Sequence, residues 1–184
     1  SLGDRDSWAV GDRVLGLLGE HGTASEVFEA LRASGALPPG SLGRLSYAEL
    51  VPEIDAIAAR ARELRRGGRM PSIDVDDEIG GIRLTGTIDE VYRGSGQVLV
   101  QFSRLRRRSE LSAWVHHVLL QCFAPAGMPR TARLVGRQPS DGREIEIGFH
   151  DLDDPRALLG ELLDLYREGT TRPLPLFAST SRTY

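Results

Sequence analysis

The stretch that decides the fold is Gly86-Thr87-Ile88-Asp89, followed after a short turn by Val98-Leu99-Val100-Gln101-Phe102-Ser103. Residues 82–92 alternate apolar and polar side chains, as a strand with one buried face does. Residues 97–102 form a compact apolar strand. Between these runs, Gly94-Ser95-Gly96 supplies the positive φ angles that a tight turn needs. The two runs therefore predict a hairpin.

An amphipathic helix is predicted after this hairpin. Its apolar residues recur at i, i+3, i+4, i+7, i+8 and i+11, which is the clearest helical periodicity in the chain. They are Leu111, Trp114, Val115, Val118, Leu119 and Cys122. Two more strands are expected at 131–137 and 144–149. A last helix is expected to begin with Asp154 as its N-cap and Pro155 in its first turn.

The residues before the hairpin predict helices and one more strand. A short helix follows Ser25, and a longer one covers about 48–66. The apolar face of the longer helix consists of Ile54, Ile57, Ala58, Ala61 and Leu64. Between the two helices, the proline-containing segment 37–43 is expected to be neither helix nor central strand. Residues 72–76 alternate as a strand does.

This order of elements predicts an α/β protein of the α+β type, in which helices flank a mixed sheet. A length of 184 residues suits one domain, because domains run to about 100–200 residues. We expect a helical part at 1–68 and an α/β core at 69–184 that ends in an extended tail. Because the chain starts without methionine, we expect it to be one compact fragment of a larger protein.

The basic residues are unusual, because all 23 are arginine and the chain has no lysine. This composition excludes a Walker-type phosphate loop and a Schiff-base enzyme. The single cysteine, Cys122, excludes an internal disulfide framework and a cysteine zinc cage. No apolar run approaches the roughly 20 residues of a membrane span. We therefore expect a cytoplasmic protein with no membrane partner.

The hairpin resembles the core of the PD-(D/E)xK nucleases. In that family a Gly-x-Ile-Asp strand supplies one metal-binding aspartate, and the next strand ends in (D/E)-x-K. The resemblance places Asp89 at the first carboxylate, Gln101 at the second and Ser103 at the lysine. It implies a restriction-endonuclease-like fold that has lost two of its three catalytic positions. Neither a catalytic residue nor a metal site is therefore expected.

A second resemblance covers nearly the whole chain. Residues 13–43, the helix at 113–118, and the ending at 166–169 with 172–177 are similar to the C-terminal domain of RecC. RecC is the gamma chain of exodeoxyribonuclease V, the bacterial RecBCD helicase-nuclease, and its C-terminal domain is an inactive nuclease-like fold. The resemblance implies a scaffold that holds RecB and RecD and guides double-stranded and forked DNA in double-strand-break repair by homologous recombination. It also implies no cofactor for this domain, while the partner subunits use Mg²⁺ and ATP.

The arginine-dense segment after the hairpin contains the candidate DNA-binding residues Arg104, Arg106, Arg107 and Arg108. Guanidinium groups bind phosphate oxygens bidentately, and the release of counterions makes such contacts sensitive to salt. A solvated loop and a surface for a protein partner are the alternatives for this segment.

Two other functions stay open at the level of sequence. One is a divergent, active metal-dependent nuclease that uses Asp89, Asp74 or Asp76 with a displaced third ligand. The other is a free-standing protein-interaction domain. His116 and His117 are neighbours in a helix and point about 100° apart, so they are expected to flank the core instead of binding one metal ion together.

Overall fold

A computed structural model describes residues 24–35, 37 and 39–173. This part of the chain contains four helices and six strands. The helices are α1 (Ala24–Ala33), α2 (Ser41–Leu64), α3 (Arg107–Phe123) and α4 (Pro155–Thr171). The strands are β1 (Ile73–Ile79), β2 (Ile82–Ile88), β3 (Val91–Tyr92), β4 (Gly96–Arg104), β5 (Ala132–Arg137) and β6 (Glu144–Phe149). The predicted tail and the start of the RecC-like pattern lie outside the described residues.

The strands form a two-stranded sheet, β1-β2, and a four-stranded sheet in the order β3-β4-β5-β6. β3 and β4 are antiparallel. β4 and β5 run parallel, because Gln97 N donates to Thr131 O at 2.9 Å and Leu105 N donates to Arg137 O at 2.7 Å, so both strands advance in the same direction. The larger sheet is therefore mixed, and the predicted α+β class is confirmed.

Helix α3 is the crossover that parallel strands require, since it connects β4 to β5. Gly96 shows how closely these strands approach at the start of β4. Its φ is +78°, and a Cβ atom at this position would lie 2.0 Å from Thr131 O. Only glycine fits both constraints, so the turn residue that predicted the hairpin also allows β4 to pair with the segment before β5.

The predicted single strand at 82–92 is wrong, because it is broken at Asp89 and Glu90. β2 ends at Ile88 and pairs with β1, whereas β3 pairs with β4. Glu90 has a φ of 59°, a left-handed conformation that is uncommon for a residue other than glycine. The alternation of side chains shifts by one residue at this break, because Ile82, Leu84 and Ile88 stand at even positions and Val91 at an odd one. The sequence prediction did not use this shift.

Helix α2 begins at Ser41, seven residues before the predicted start and inside the segment predicted to be irregular. The prolines of that segment precede the first helical turn, where they remove no hydrogen bond of the helix. The predicted apolar face is confirmed, since Ile54, Ile57, Ala58, Ala61 and Leu64 are all buried. The predicted start of α4 is also confirmed, because Asp154 Oδ1 accepts a hydrogen bond from Ala157 N at 3.0 Å.

The predicted apolar face of α3 is wrong in part. Its first residue, Leu111, is 58% exposed. Only Val118 of the predicted face is fully buried, and the other buried positions of α3 are Ala113, His117, Leu120 and Gln121. The helix contacts both α4 and β2, so its buried surface is wider than the predicted face and includes polar side chains.

The chain divides into two compact units built from separate segments. Among the described residues, the first unit combines those up to Leu64 with Val100–Leu105 and Leu134–Ile147. The second combines Arg65–Leu99, Arg106–Arg133 and the described residues from Gly148 onward. A core cluster of the second unit consists of Ile73, Val75, Ile88, Val91 and Leu120. Among the described helices, none is both long and apolar enough to cross a membrane.

Candidate nucleic-acid interface

Arg104 is the last residue of β4 and belongs to the first unit. Leu105, which follows it, is 1% exposed and packs so closely on Gly136 that a Cβ there would lie 2.4 Å from Leu105 Cδ2. This anchor holds the backbone next to Arg104. The exposed Arg104 side chain donates from Nη1 to Pro139 O at 3.1 Å. One of the four predicted DNA-binding arginines therefore already has a protein partner.

The other three arginines stand at the start of α3, in the second unit. Arg106 is the N-cap residue, and Arg107 and Arg108 occupy the first turn. All three are exposed. Arg107 and Arg108 make no side-chain hydrogen bond or ion pair with any residue that the structure describes. These two guanidinium groups are available to an external ligand.

Positive side chains oppose the dipole of α3 at this end. The first turn of a helix presents unpaired N–H groups and a partial positive charge, and a charge of matching sign there costs about 0.3–1 kcal/mol. Glu110 is the acidic residue of this turn, and the same turn carries two arginines. A bound anion would relieve this repulsion and accept hydrogen bonds from both the guanidinium and backbone N–H groups.

Asp89, the predicted first carboxylate of the degenerate site, lies in the second unit between β2 and β3. Its side chain is 47% exposed. Oδ1 accepts a hydrogen bond from Ser72 Oγ and lies 3.5 Å from Arg69 Nη2. The carboxylate is thus balanced by a guanidinium group of the protein itself, where the nuclease pattern has a metal ion.

Glu90 has three side-chain partners that the sequence pattern does not indicate. Its Oε2 accepts from Arg65 Nη2 at 2.7 Å and from Tyr92 Oη at 2.9 Å, while Oε1 lies 3.2 Å from Arg69 Nη2. Burial raises the pKa of the Tyr92 phenol, and the hydrogen bond to Glu90 adds to this shift. Tyr92 therefore stays protonated as a donor to Glu90.

Gln101 and Ser103, the other two positions of the degenerate site, lie on β4 in the first unit. Because side chains alternate along a strand, both point to the face opposite Phe102, which is fully buried. Gln101 and Ser103 themselves are half-buried. Neither side chain carries a charge, so neither can supply the carboxylate or the cation that the nuclease pattern requires. Their role as degenerate catalytic positions stays a prediction.

The carboxylates of the alternative nuclease site lie on β1. Asp74 and Asp76 are exposed and stand opposite Thr87 and Thr85 of β2. Asp76 forms a bidentate pair with Arg83, with distances of 2.9 and 3.0 Å. Its charge is therefore already compensated by arginine. Across the described ranges, no group of three or more His, Cys, Asp and Glu side chains is arranged to hold a metal ion.

The fold and the site define a class of protein: an α+β domain with a parallel crossover, whose candidate site is rich in arginine. The comparisons with known proteins identify the family. Residues 1–184 match the RecC C-terminal domain family over their full length. The chain belongs to this family.

Individual relatives agree with this assignment. The chain is 36% identical over 177 residues to the RecBCD enzyme subunit RecC of Mycobacterium tuberculosis, which covers 95% of the chain and 16% of that protein. It is 34% identical over 181 residues to RecC of Mycolicibacterium smegmatis, covering 96% of the chain and 16% of that protein. With Escherichia coli RecC it shares 27% identity over 169 residues, covering 91% of the chain and 14% of that protein. The chain thus spans about one sixth of the length of these relatives.

Proposed function

We propose that this chain is a catalytically inactive, nuclease-fold scaffold and DNA-guiding domain of the RecC subunit in a RecBCD-type helicase-nuclease. Its partners are RecB- and RecD-type subunits and double-stranded or forked DNA. The complex acts in the cytoplasm as exodeoxyribonuclease V, in double-strand-break repair by homologous recombination. The domain uses no cofactor of its own, and Mg²⁺ and ATP serve the partner subunits.

The observation that carries this proposal is the charge at the nuclease-like positions. A hard divalent cation prefers several anionic oxygen ligands. In the nuclease pattern, two carboxylates hold the metal ion that activates a water molecule, and the lysine orients that water. Gln101 and Ser103 offer no charge, and the carboxylate of Asp89 is paired with Arg69. The family assignment and the names of the relatives support a role in the RecBCD enzyme.

The inactive state is tested by incubating the purified chain with linear duplex DNA and Mg²⁺ or Mn²⁺. We expect no degradation, and isothermal titration calorimetry should detect no cation bound at Asp89. Asp89→Ala, Asp74→Ala and Asp76→Ala are the matched variants. DNA degradation that is lost in any of these three would establish the divergent active nuclease and overturn the proposal.

The DNA-guiding role is tested at the first turn of α3, where two arginines have no partner among the described residues. Fluorescence anisotropy with fluorescein-labelled forked DNA measures the affinity over a range of salt concentrations. Each phosphate contact adds about one to the slope of log affinity against log salt. Arg107→Ala/Arg108→Ala should therefore weaken binding and reduce this slope by about two.

The control for this experiment is Arg83→Ala/Arg143→Ala. It removes the same charge from exposed arginines that are paired with Asp76 and Asp141, and it should leave the slope nearly unchanged. If the parent chain shows no salt-dependent binding even at low salt, the free-standing protein-interaction domain replaces the DNA-guiding role.

A further inference from the structure

A second group of arginines comes together in the second unit, away from the predicted DNA-binding segment in the sequence. The loop after α2 pairs with β3: Arg93 N donates to Gly68 O at 3.1 Å, and Met70 N donates to Val91 O at 2.8 Å. An isolated bridge joins Arg69 to Tyr92. This pairing brings together the backbones that carry four arginines, Arg65, Arg66, Arg69 and Arg93, which we call the β3 arginine cluster.

The close contact in this cluster depends on glycine. A Cβ atom on Gly67 would lie 1.8 Å from Arg93 O, so no other residue allows the loop to approach β3 at this distance. Gly68 has a φ of +81° and Gly94 a φ of +82°, both in the region that favours glycine. The local backbone is therefore built so that Arg66 and Arg93 lie on neighbouring segments.

The charges of the cluster are only partly compensated. Glu90 pairs with Arg65 and Arg69, with distances of 2.7 and 3.2 Å, and Asp89 lies 3.5 Å from Arg69. The Arg65 guanidinium also lies 5.5 Å from the centre of the Tyr92 ring. Arg66 and Arg93 are exposed and have no side-chain partner within the described ranges. The two carboxylates therefore compensate Arg65 and Arg69, and the positive charges of Arg66 and Arg93 remain available to a ligand.

The exposed surface around these charges favours phosphate over a protein partner. It consists of Arg66, Gly67, Gly68, Arg69, Arg93 and Gly94, whereas Tyr92 is buried. Protein interfaces depend on a buried apolar centre, and no apolar side chain is exposed in these two segments. A phosphodiester backbone needs only cationic donors and room to approach, and the three glycines give it that room.

We propose that the β3 arginine cluster is a second binding site for the phosphate backbone of a DNA strand. Arg66 and Arg93 contact the phosphates, and Glu90 positions Arg65 and Arg69 beside them. The choice of DNA as the ligand rests on the proposed function. The residues of this site are separate from the arginines at the start of α3, so the two sites can be tested independently. Because the site contacts phosphates and not bases, its affinity for DNA does not depend on base sequence.

The test compares Arg66→Ala/Arg93→Ala with the parent chain by fluorescence anisotropy, on fluorescein-labelled forked DNA of two unrelated sequences. We expect a severalfold lower affinity for both sequences and a salt slope reduced by about two. Arg66→Lys/Arg93→Lys keeps the charges and should restore most of the slope. Arg83→Ala/Arg143→Ala is the control for loss of net charge, and circular dichroism confirms that each variant is folded.

Three outcomes would overturn this inference. If Arg66→Ala/Arg93→Ala leaves the affinity and slope unchanged while Arg107→Ala/Arg108→Ala reduces them, the proposed function stands and the β3 cluster is not a DNA site. If the parent chain does not bind DNA at any salt concentration, both proposals fail together. If the β3 variant binds DNA normally but no longer associates with the partner subunits, the cluster is a protein contact.

Discussion

Helices α2 and α3 are both buried on one side, but by different chemistry. The deepest positions in the second half of α2 are apolar, and Ile54 and Ile57 are 1% and 0% exposed. The deepest positions of α3 include two polar residues, His117 and Gln121, at 0% and 3% exposed. Apolar burial is non-directional and scales with area, whereas a buried polar group requires a partner in a defined position.

The partners of these α3 residues come from one loop of the second unit, between β6 and α4. Gln121 Nε2 donates to Asp151 Oδ1 at 3.0 Å, and Gln121 Oε1 accepts from Leu152 N at 3.0 Å. His117 Nε2 donates to His150 O at 2.8 Å, and its ring lies 5.7 Å from that of Phe149. These bonds select the rotation of α3 about its axis, whereas the buried residues in the second half of α2 are apolar throughout.

The largest effect in this comparison is expected in α2. Ile57→Ala removes a fully buried side chain and should lower the free energy of unfolding by about 2–5 kcal/mol, because it loses apolar burial and leaves a cavity. Chemical denaturation followed by circular dichroism measures the loss. Leu45→Ala is the control in the same helix, since Leu45 is 62% exposed. Equal, small losses for both variants would contradict the apolar account of α2.

The hydrogen bonds of α3 are expected to contribute less than the α2 core. Gln121→Met keeps the side-chain volume but removes the hydrogen bonds that the buried Gln121 makes with Asp151 and Leu152, so the free energy of unfolding should fall by about 1–3 kcal/mol. The same denaturation experiment measures it, and His116→Ala, at an exposed position of the same helix, is the control. A neutral or stabilising Gln121→Met would show that packing alone orients α3.

A smaller effect is expected at the N-cap of α4, which follows the loop that contains Asp151. Asp154 caps this helix through Ala157 N, so Asp154→Ala should cost about 0.5–2 kcal/mol of unfolding free energy. Asp154→Asn retains an acceptor and should restore most of the loss. Asp153→Ala changes the neighbouring exposed carboxylate and serves as the control. If Asp153→Ala costs as much as Asp154→Ala, the effect comes from charge and not from capping.

The smallest effect is expected at the residue that begins the predicted face of α3. Leu111→Ala changes a side chain that is 58% exposed, and such surface changes stay within about 0.5 kcal/mol. Thermal unfolding is the measurement, and Val118→Ala, at a fully buried position of the same helix, is the comparison. A large loss at Leu111 would mean that the predicted face is buried after all.

Much of the fold was predictable because the signals are local. Gly94 and Gly96 mark a turn whose positive φ angles the structure contains, and residues 144–149 alternate as a strand does. The break at Glu90 was missed although the sequence carries a signal for it, since the apolar positions shift by one residue between Ile88 and Val91. The α3 face was mispredicted because its periodicity describes only apolar residues, while His117 and Gln121 are held by partners remote in the sequence.

The candidate site divides in the same way. The arginines at the start of α3 are adjacent in the sequence, so their clustering could be read directly. The β3 arginine cluster could not be predicted in this way, because the segments that carry Arg66 and Arg93 are brought together only by the pairing of the loop after α2 with β3. The pairing of Asp89 with Arg69 also depends on this contact.

The sequence by itself determined the absence of lysine, the uncharged Gln101 and Ser103, and the order of most strands and helices, since these depend on composition and local pattern. Only the tertiary structure decided which arginines are compensated by carboxylates and which remain available to a ligand. The physical reason is that charge pairing and hydrogen bonding act over a few ångströms in space, between residues that the chain itself keeps far apart.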